Sequence, residues 1–280
     1  MSTLFAALSA LAYGAADYSG GRATRANNVL GVLVLSQSIG LAGIVVMALV
    51  LRQPIPAPVD ILWGVAAGLS GVFGLSSLYR GLAVGSAAVV SPTAALVGTG
   101  APVVAGVLLG EAPGLTAWLG VAVAVPAILL LSLSRGATRR FDTTSLIPGI
   151  AAGIGFGGYF ILIDRTSAAS GFWPLAGARC ASILAVLIVA GFARRSLVVA
   201  RRARGAASLA GALDMAANAF FLVAVRTGLL VTSSVVSSLY PAPTVVLARL
   251  FDGERLGARR VAGLLAALVG VALMAVQEAG

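Results

Sequence analysis

Residues 109–120 read LGEAPGLTAWLG, and residues 252–263 read DGERLGARRVAG. In each, a Gly-Glu pair interrupts an apolar run, and two glycines follow at matching distances. Gly110, Glu111, Gly114 and Gly120 recur as Gly253, Glu254, Gly257 and Gly263, all at an offset of 143. At that offset Gly14 meets Gly157, and Arg22 meets Arg165. Upstream, Arg80 with Val89-Val90-Ser91 recurs as Arg226 with Val235-Val236-Ser237 at offset 146, so one half carries a three-residue insertion inside its fourth span. Ordered matches at a nearly constant offset mark an internal repeat, the signature of a chain built from two like units.

The composition says where those units sit. Hydrophobic residues make up 59% of the chain and charged residues 10%, with a mean hydropathy of +1.03. A soluble domain carries roughly 25% charged residues to hydrate its surface. With less than half of that, the apolar surface must face lipid. The net charge of +10 comes from 19 basic residues, all Arg and mostly in short connectors. That placement is the ordinary means of orienting a membrane protein, and no nucleic-acid partner is expected. The chain has no His and one Cys, Cys180. His-based catalytic triads, His metal sites, disulfides and thiolate clusters are therefore excluded, and no metal, cofactor or catalytic residue is expected.

Apolar runs measured against the roughly 20 residues that cross a hydrocarbon core fall near 3–20, 29–51, 60–82, 86–109, 114–133, 145–166, 172–192, 207–227, 229–251 and 258–277. The N-terminal run lacks the basic segment of a secretory signal and reads as a retained first helix. Ten spans in 280 residues leave 28 each, a helix and a connector with no soluble domain. The expected fold is all-α and integral to the membrane. Small-residue spacings such as Gly64/Gly68 and Gly149/Gly153/Gly157 read as helix contacts. Trp63, Trp118 and Trp173, each near the start of a span, read as interfacial anchors.

A five-span unit repeated in tandem enters the membrane in opposite senses. The two halves are then expected as inverted repeats around a central cavity, the arrangement of many secondary transporters. Arg52, Arg165, Arg179 and Arg226 fall toward one face, and the other 15 arginines in or beside odd-numbered connectors toward the opposite one. The positive-inside rule makes the odd connectors cytoplasmic and both termini external.

The chain resembles the EamA family of the drug/metabolite transporter superfamily. The resemblance is carried by Tyr79-Arg80-Gly81-Leu82-Ala83 leading into Ser86 and Ser91-Pro92, and by Gly110-Glu111 with Gly120. Their counterparts are Arg226, Pro241 and Gly253-Glu254 with Gly263. It covers two EamA-like units, 3–133 and 145–277. It implies ten helices, a cavity lined by both halves, and movement of small metabolites across the cytoplasmic membrane. It also implies both termini in the cytoplasm, against the arginine count, which is the reading kept here.

Ionisable groups inside spans cost roughly 2.5–3.5 kcal/mol each on insertion scales and so call for a reason. Asp17 is read as a coupling carboxylate or gate residue, or as an interfacial Asp paired with Arg22 or Arg80. Asp214, seven residues into the span drawn from 207 and so roughly 10 Å deep, is the second coupling candidate, or else half of an interhelical pair. Asn218 lies one turn later on the same side. Arg179 is expected to pair with Asp164; the alternative is a substrate carboxylate or phosphate. Tyr13, Gln37, Ser76, Tyr159 and Tyr240 complete the candidate cavity lining, each needing a polar partner within the membrane. Pro92 and Pro102 in the fourth span, and Pro241 and Pro243 in the ninth, are expected to break corresponding helices of both halves. Glu111 and Glu254 are read as holding helix starts through N-terminal donors.

These features favour a secondary transporter of a small organic metabolite, an amino-acid-like solute or drug, working by alternating access, in efflux and coupled to protons. A channel or non-transporting membrane scaffold is the alternative, and an intramembrane enzyme a weaker one. The expected partners are the lipid bilayer and a small-molecule substrate. One monomer suffices for the cavity, and a dimer is compatible with it.

Overall fold

The computed structural model describes residues 1–25, 27–84, 86–132 and 143–279. Among them there is no strand. The first half comprises α1 (Ser2–Thr24), α2 (Val29–Val50), α3 (Pro58–Val84), α4 (Ala87–Leu108) and α5 (Leu115–Ser132). The second comprises α6 (Thr143–Asp164), α7 (Trp173–Phe192), α8 (Arg201–Thr227), α9 (Leu230–Ser237), α10 (Pro241–Phe251) and α11 (Ala258–Ala279). Helix is what an apolar chain must adopt in hydrocarbon, where no water satisfies the backbone. Nine stretches of the described residues, with α9 and α10 taken together, are long and apolar enough to cross a membrane. The remaining helix, α1, has 23 residues and is about 35 Å long, but it is less apolar. Its Ser2, Thr3, Ser9 and Ser19 are turned inward and buried.

The quoted repeat has a structural counterpart. Gly110 and Gly253 both adopt left-handed backbone, φ +93° and +68°, the conformation that ends a helix and that glycine alone adopts without strain. The packing also exchanges under the repeat. α1 packs on α8 as α6 packs on α3; α3 on α7 as α8 on α2; α6 on α4 as α1 on α9 and α10. The pairs α2–α7, α5–α11 and α4–α9 map onto themselves. Glycine makes the closest of these contacts. A Cβ on Gly149, Gly153 or Gly157 of α6 would lie 3.0, 2.8 or 3.1 Å from the carbonyl oxygens of Val90, Ala94 and Gly98 on α4.

That ladder explains one departure from expectation. Pro241 and Pro243 do mark a break, between α9 and α10, but α4 runs unbroken through Pro92 and Pro102. A proline deprives the carbonyl four residues earlier of its helical partner. For Pro102 that carbonyl is Gly98, and a Cβ on Gly157 would lie 3.1 Å from it, so α6 packs directly over the carbonyl that the proline leaves.

A second departure concerns α8, which begins at Arg201 rather than near 207. The extra turns carry Arg201, Arg202 and Arg204 and are amphipathic rather than apolar, which hid them from a hydropathy reading. A third is Trp173. Trp63 and Trp118 are exposed, whereas Trp173 is half-buried against a core cluster that includes Ile44, Leu175 and Phe221.

The helix ends define two faces. The arginine face holds the ends of α1, α3 and α10 and the start of α8. Arg135, Arg139 and Arg140, counted toward it, lie outside the described residues. The opposite face holds the chain start, Asp60, Glu111, Arg226 and Glu278.

Candidate functional site

A polar chain crosses the middle of the fold. Arg179 of α7, 7% exposed, donates Nη1 to the Gln37 side-chain oxygen on α2 and Nη2 to the Asp214 carboxylate on α8. Asn218, one turn along α8, donates to the Asp214 carbonyl oxygen at 2.7 Å. Its own side-chain oxygen accepts the Tyr13 hydroxyl of α1 at 2.8 Å. The Tyr13 ring then meets Phe160 and Tyr240 edge-on, centroids 6.5 and 6.3 Å apart. Tyr159 packs edge-on against Phe160 at 6.1 Å, and Phe160 lies 4.2 Å from Phe221. Seven of the candidate lining and coupling residues are thus joined in one network: Gln37, Arg179, Asp214, Asn218 and Tyr13 by hydrogen bonds, and Tyr240 and Tyr159 by ring contacts.

The expected Arg179–Asp164 pair is not formed. Asp164 bonds its chain neighbour Arg165 at 2.9 Å. The reason is depth. With α8 starting at Arg201, Asp214 lies 13 residues in, about 20 Å from the arginine face. Arg179 lies six residues into α7, about 9 Å below the opposite face. In a core about 30 Å thick these are the same level. Asp164, at the very end of α6, is too shallow.

Asp17 stands apart. A Cβ on Gly14 would lie 2.6 Å from the Tyr240 carbonyl oxygen, and one on Gly20 would lie 3.6 Å from the Ala210 Cβ. α10 and α8 therefore flank α1 on those two sides. Asp17, three residues from each, bisects them at 100° per residue and points into the gap between α8 and α10. It is exposed there. Among the described residues no hydrogen bond or ion pair reaches it. Arg22 instead donates to Tyr18 at 3.1 Å, and Arg80 is exposed with no bonded partner among the described residues, so neither pairs with Asp17 as expected. Asp214, Tyr13, Tyr79 and Tyr240 are near enough to interact with its charge. At the offset of 143 its counterpart is Phe160, so this acid is peculiar to the first half.

Ser76 is not brought into the network. It lies on the exposed face of α3 with Leu69 and Phe73. Sequence reasoning missed the aromatic pair Phe160–Phe221, whose residues read as ordinary core.

Each face is tied by its own polar set. On the opposite face, the Glu111 carboxylate accepts the amides of Leu230 at 2.6 Å and Val231 at 2.9 Å, closing the start of α9. Glu278 accepts the Thr3 amide and hydroxyl at 2.7 and 2.8 Å, closing the start of α1. Arg226 donates to the carbonyls of Gly171 at 2.7 Å and Ser167 at 2.8 Å. On the arginine face, Asp252 accepts from the Tyr18 hydroxyl at 3.1 Å and Arg25 at 3.0 Å. Partial removal from water pushes the Asp252 carboxyl up, but those two bonds outweigh it and hold it below the usual aspartate range.

The EamA-like transporter family model matches residues 1–133 and 143–276. The chain belongs to that family. EamA is a transporter family, and this EamA protein is accordingly a multi-pass membrane protein of the transporter type. A solved structure, described only as the crystal structure of a protein, superimposes with a TM-score of 0.77 over 98% of each chain. At 15% identity it shares the fold alone. No curated protein matches.

Proposed function

We propose that this EamA protein is a secondary transporter that moves a small organic metabolite across the cytoplasmic membrane by alternating access, outward and in exchange for protons. Packing pairs that exchange between halves favour a pseudo-two-fold axis in the membrane plane, the symmetry by which a cavity opens first to one side and then to the other. By the arginine count both termini are external.

The observation that carries the coupling is Asp17, a carboxylate that faces the gap between α8 and α10 with no bonded partner among the described residues. An unpaired acid at that position binds and releases a proton without dismantling the fold. Asp214 is a poorer carrier, because Arg179 and Asn218 hold it. Its part is to fix α2, α7 and α8 while Tyr13 and Tyr240 offer amphipathic surface to the solute.

The test begins by comparing metabolites in cells lacking and overproducing the protein, to find a solute. In proteoliposomes under an imposed pH gradient, Asp17→Asn should abolish accumulation of that solute while sparing exchange. Asp214→Asn should chiefly lower thermal stability. Undiminished accumulation by Asp17→Asn would remove the coupling assignment.

A further inference from the structure

We propose that Glu111 is the latch that closes the opposite face, and that Glu254 is its repeat-related counterpart, held in reserve on Arg260 until the arginine face closes. The inference rests on the alternating-access reading above.

Glu111 sits in the connector between α4 and α5, in the first half, yet its carboxylate caps α9 in the second half through the Leu230 and Val231 amides. It therefore crosses the boundary between halves. Opening that face by separating α4 from α9 has to break both bonds. The approach is tight enough to need a glycine: a Cβ on Gly106 would lie 2.6 Å from a Glu111 carboxylate oxygen and 2.8 Å from Val231 Cγ2. Val231 and the rest of α9 are buried.

Under the repeat, Glu254 should cap the start of α4 on the arginine face. Among the described residues it makes no such bond. Its carboxylate takes Arg260 at 2.8 Å within its own half, while the Ser86 amide at the start of α4 donates to Ser145 of α6 at 2.7 Å. A second repeat-related pair differs in the same sense. Arg226 ties the end of α8 to the corner at 167–171, whereas Arg80, at the end of α3, is exposed and has no bonded partner among the described residues. On the opposite face the glutamate cap is thus made, whereas on the arginine face, toward which the exposed Asp17 and Tyr79 lie, the halves meet through Asp252 with Tyr18 and Arg25 and the corresponding cap is not made. A symmetric pair of halves exchanging states transfers the cap from one glutamate to the other. Capping by a carboxylate favours whichever helix start it reaches, because the start carries partial positive charge and unsatisfied donors.

The test uses the full-length protein in detergent, carrying Cys180→Ala because Cys180 is exposed. Thr232→Cys on α9, at a position 6% exposed, reports opening of the opposite face. Tyr79→Cys, at a position 41% exposed, reports closure of the arginine face. Labelling is with a bulky hydrophilic maleimide. Glu111→Gln should raise the rate at position 232 about tenfold and lower it at position 79. Arg260→Gln frees Glu254 and should act in the same direction. Glu254→Gln should act in the reverse. Faster labelling at 232 with none lost at 79 would mean local fraying of α9 and would overturn the proposal. So would Arg260→Gln and Glu254→Gln shifting the two sites alike, which would make them a plain structural pair. Labelling does not depend on a solute, so an absence of transport with the expected labelling would sink the transporter reading and leave the latch standing.

Discussion

Arg226 and Arg80 occupy the same place in the two halves, as do Glu111 and Glu254, yet only the first of each pair is engaged across elements. Arg226 serves two carbonyls of the 167–171 corner and the Thr166 hydroxyl; Arg80 serves none among the described residues. Glu111 caps a helix of the other half; Glu254 stays within its own. The cause is visible in the neighbours. Gly106, which clears the way for Glu111, is matched at the offset of 143 by Arg249, whose guanidinium instead holds the Glu254 carbonyl oxygen at 3.3 Å. Repetition of a motif therefore sets where a group stands, and the surrounding volume and charge set what it does. On the latch proposal, unequal bonding at repeat-related positions belongs to one of two conformational states.

The comparison breaks most readily at the arginines. Arg226→Ala should cost about 2–3 kcal/mol, since it strands two carbonyls that had a charged donor. Arg80→Ala should stay within about 0.5 kcal/mol, as exposed substitutions do. Thermal unfolding in detergent checks both, and equal losses would mean that Arg80 is engaged after all. The glutamates sharpen it on a smaller scale. Glu111→Gln should cost about 1–2 kcal/mol through the weakened cap, against no more than about 1 kcal/mol for Glu254→Gln, which loses a half-exposed ion pair. The smallest effect concerns pH. Because Asp252 is held below its ordinary value of 3.8, its ties to Tyr18 and Arg25 are fully present above that value and are lost as the pH falls through the lowered one. Asp252→Asn should remove this acid-dependent loosening of the arginine face, followed by the labelling rate at Tyr79→Cys, and leave the opposite face unchanged.

Much of the fold was legible. Long apolar runs, the recurring Gly-Glu connectors and the glycine spacings on the sixth span all correspond to observed helices, turns and contacts. The break at Pro241 was legible for the same reason, since a missing amide is a local property. The intact α4 was not, because whether a helix continues through a proline depends on the helices packed around it. Within the candidate site, the residue types were recognisable as polar groups in an apolar setting, but their partners were not. Arg179 was matched to Asp164 because a hydropathy boundary placed α8 six residues late, and so placed Asp214 about 10 Å too shallow.

From its amino acids alone this protein had to be a repeated bundle of membrane helices, because too few charges remain to cover a soluble surface and the same connector is written twice. Which polar groups meet was decided only when the packing of the helices set their depths and rotations. Hydropathy is summed along a chain and can be read from it. A hydrogen bond depends on two helix positions to within about an ångström, and those come from the packed whole.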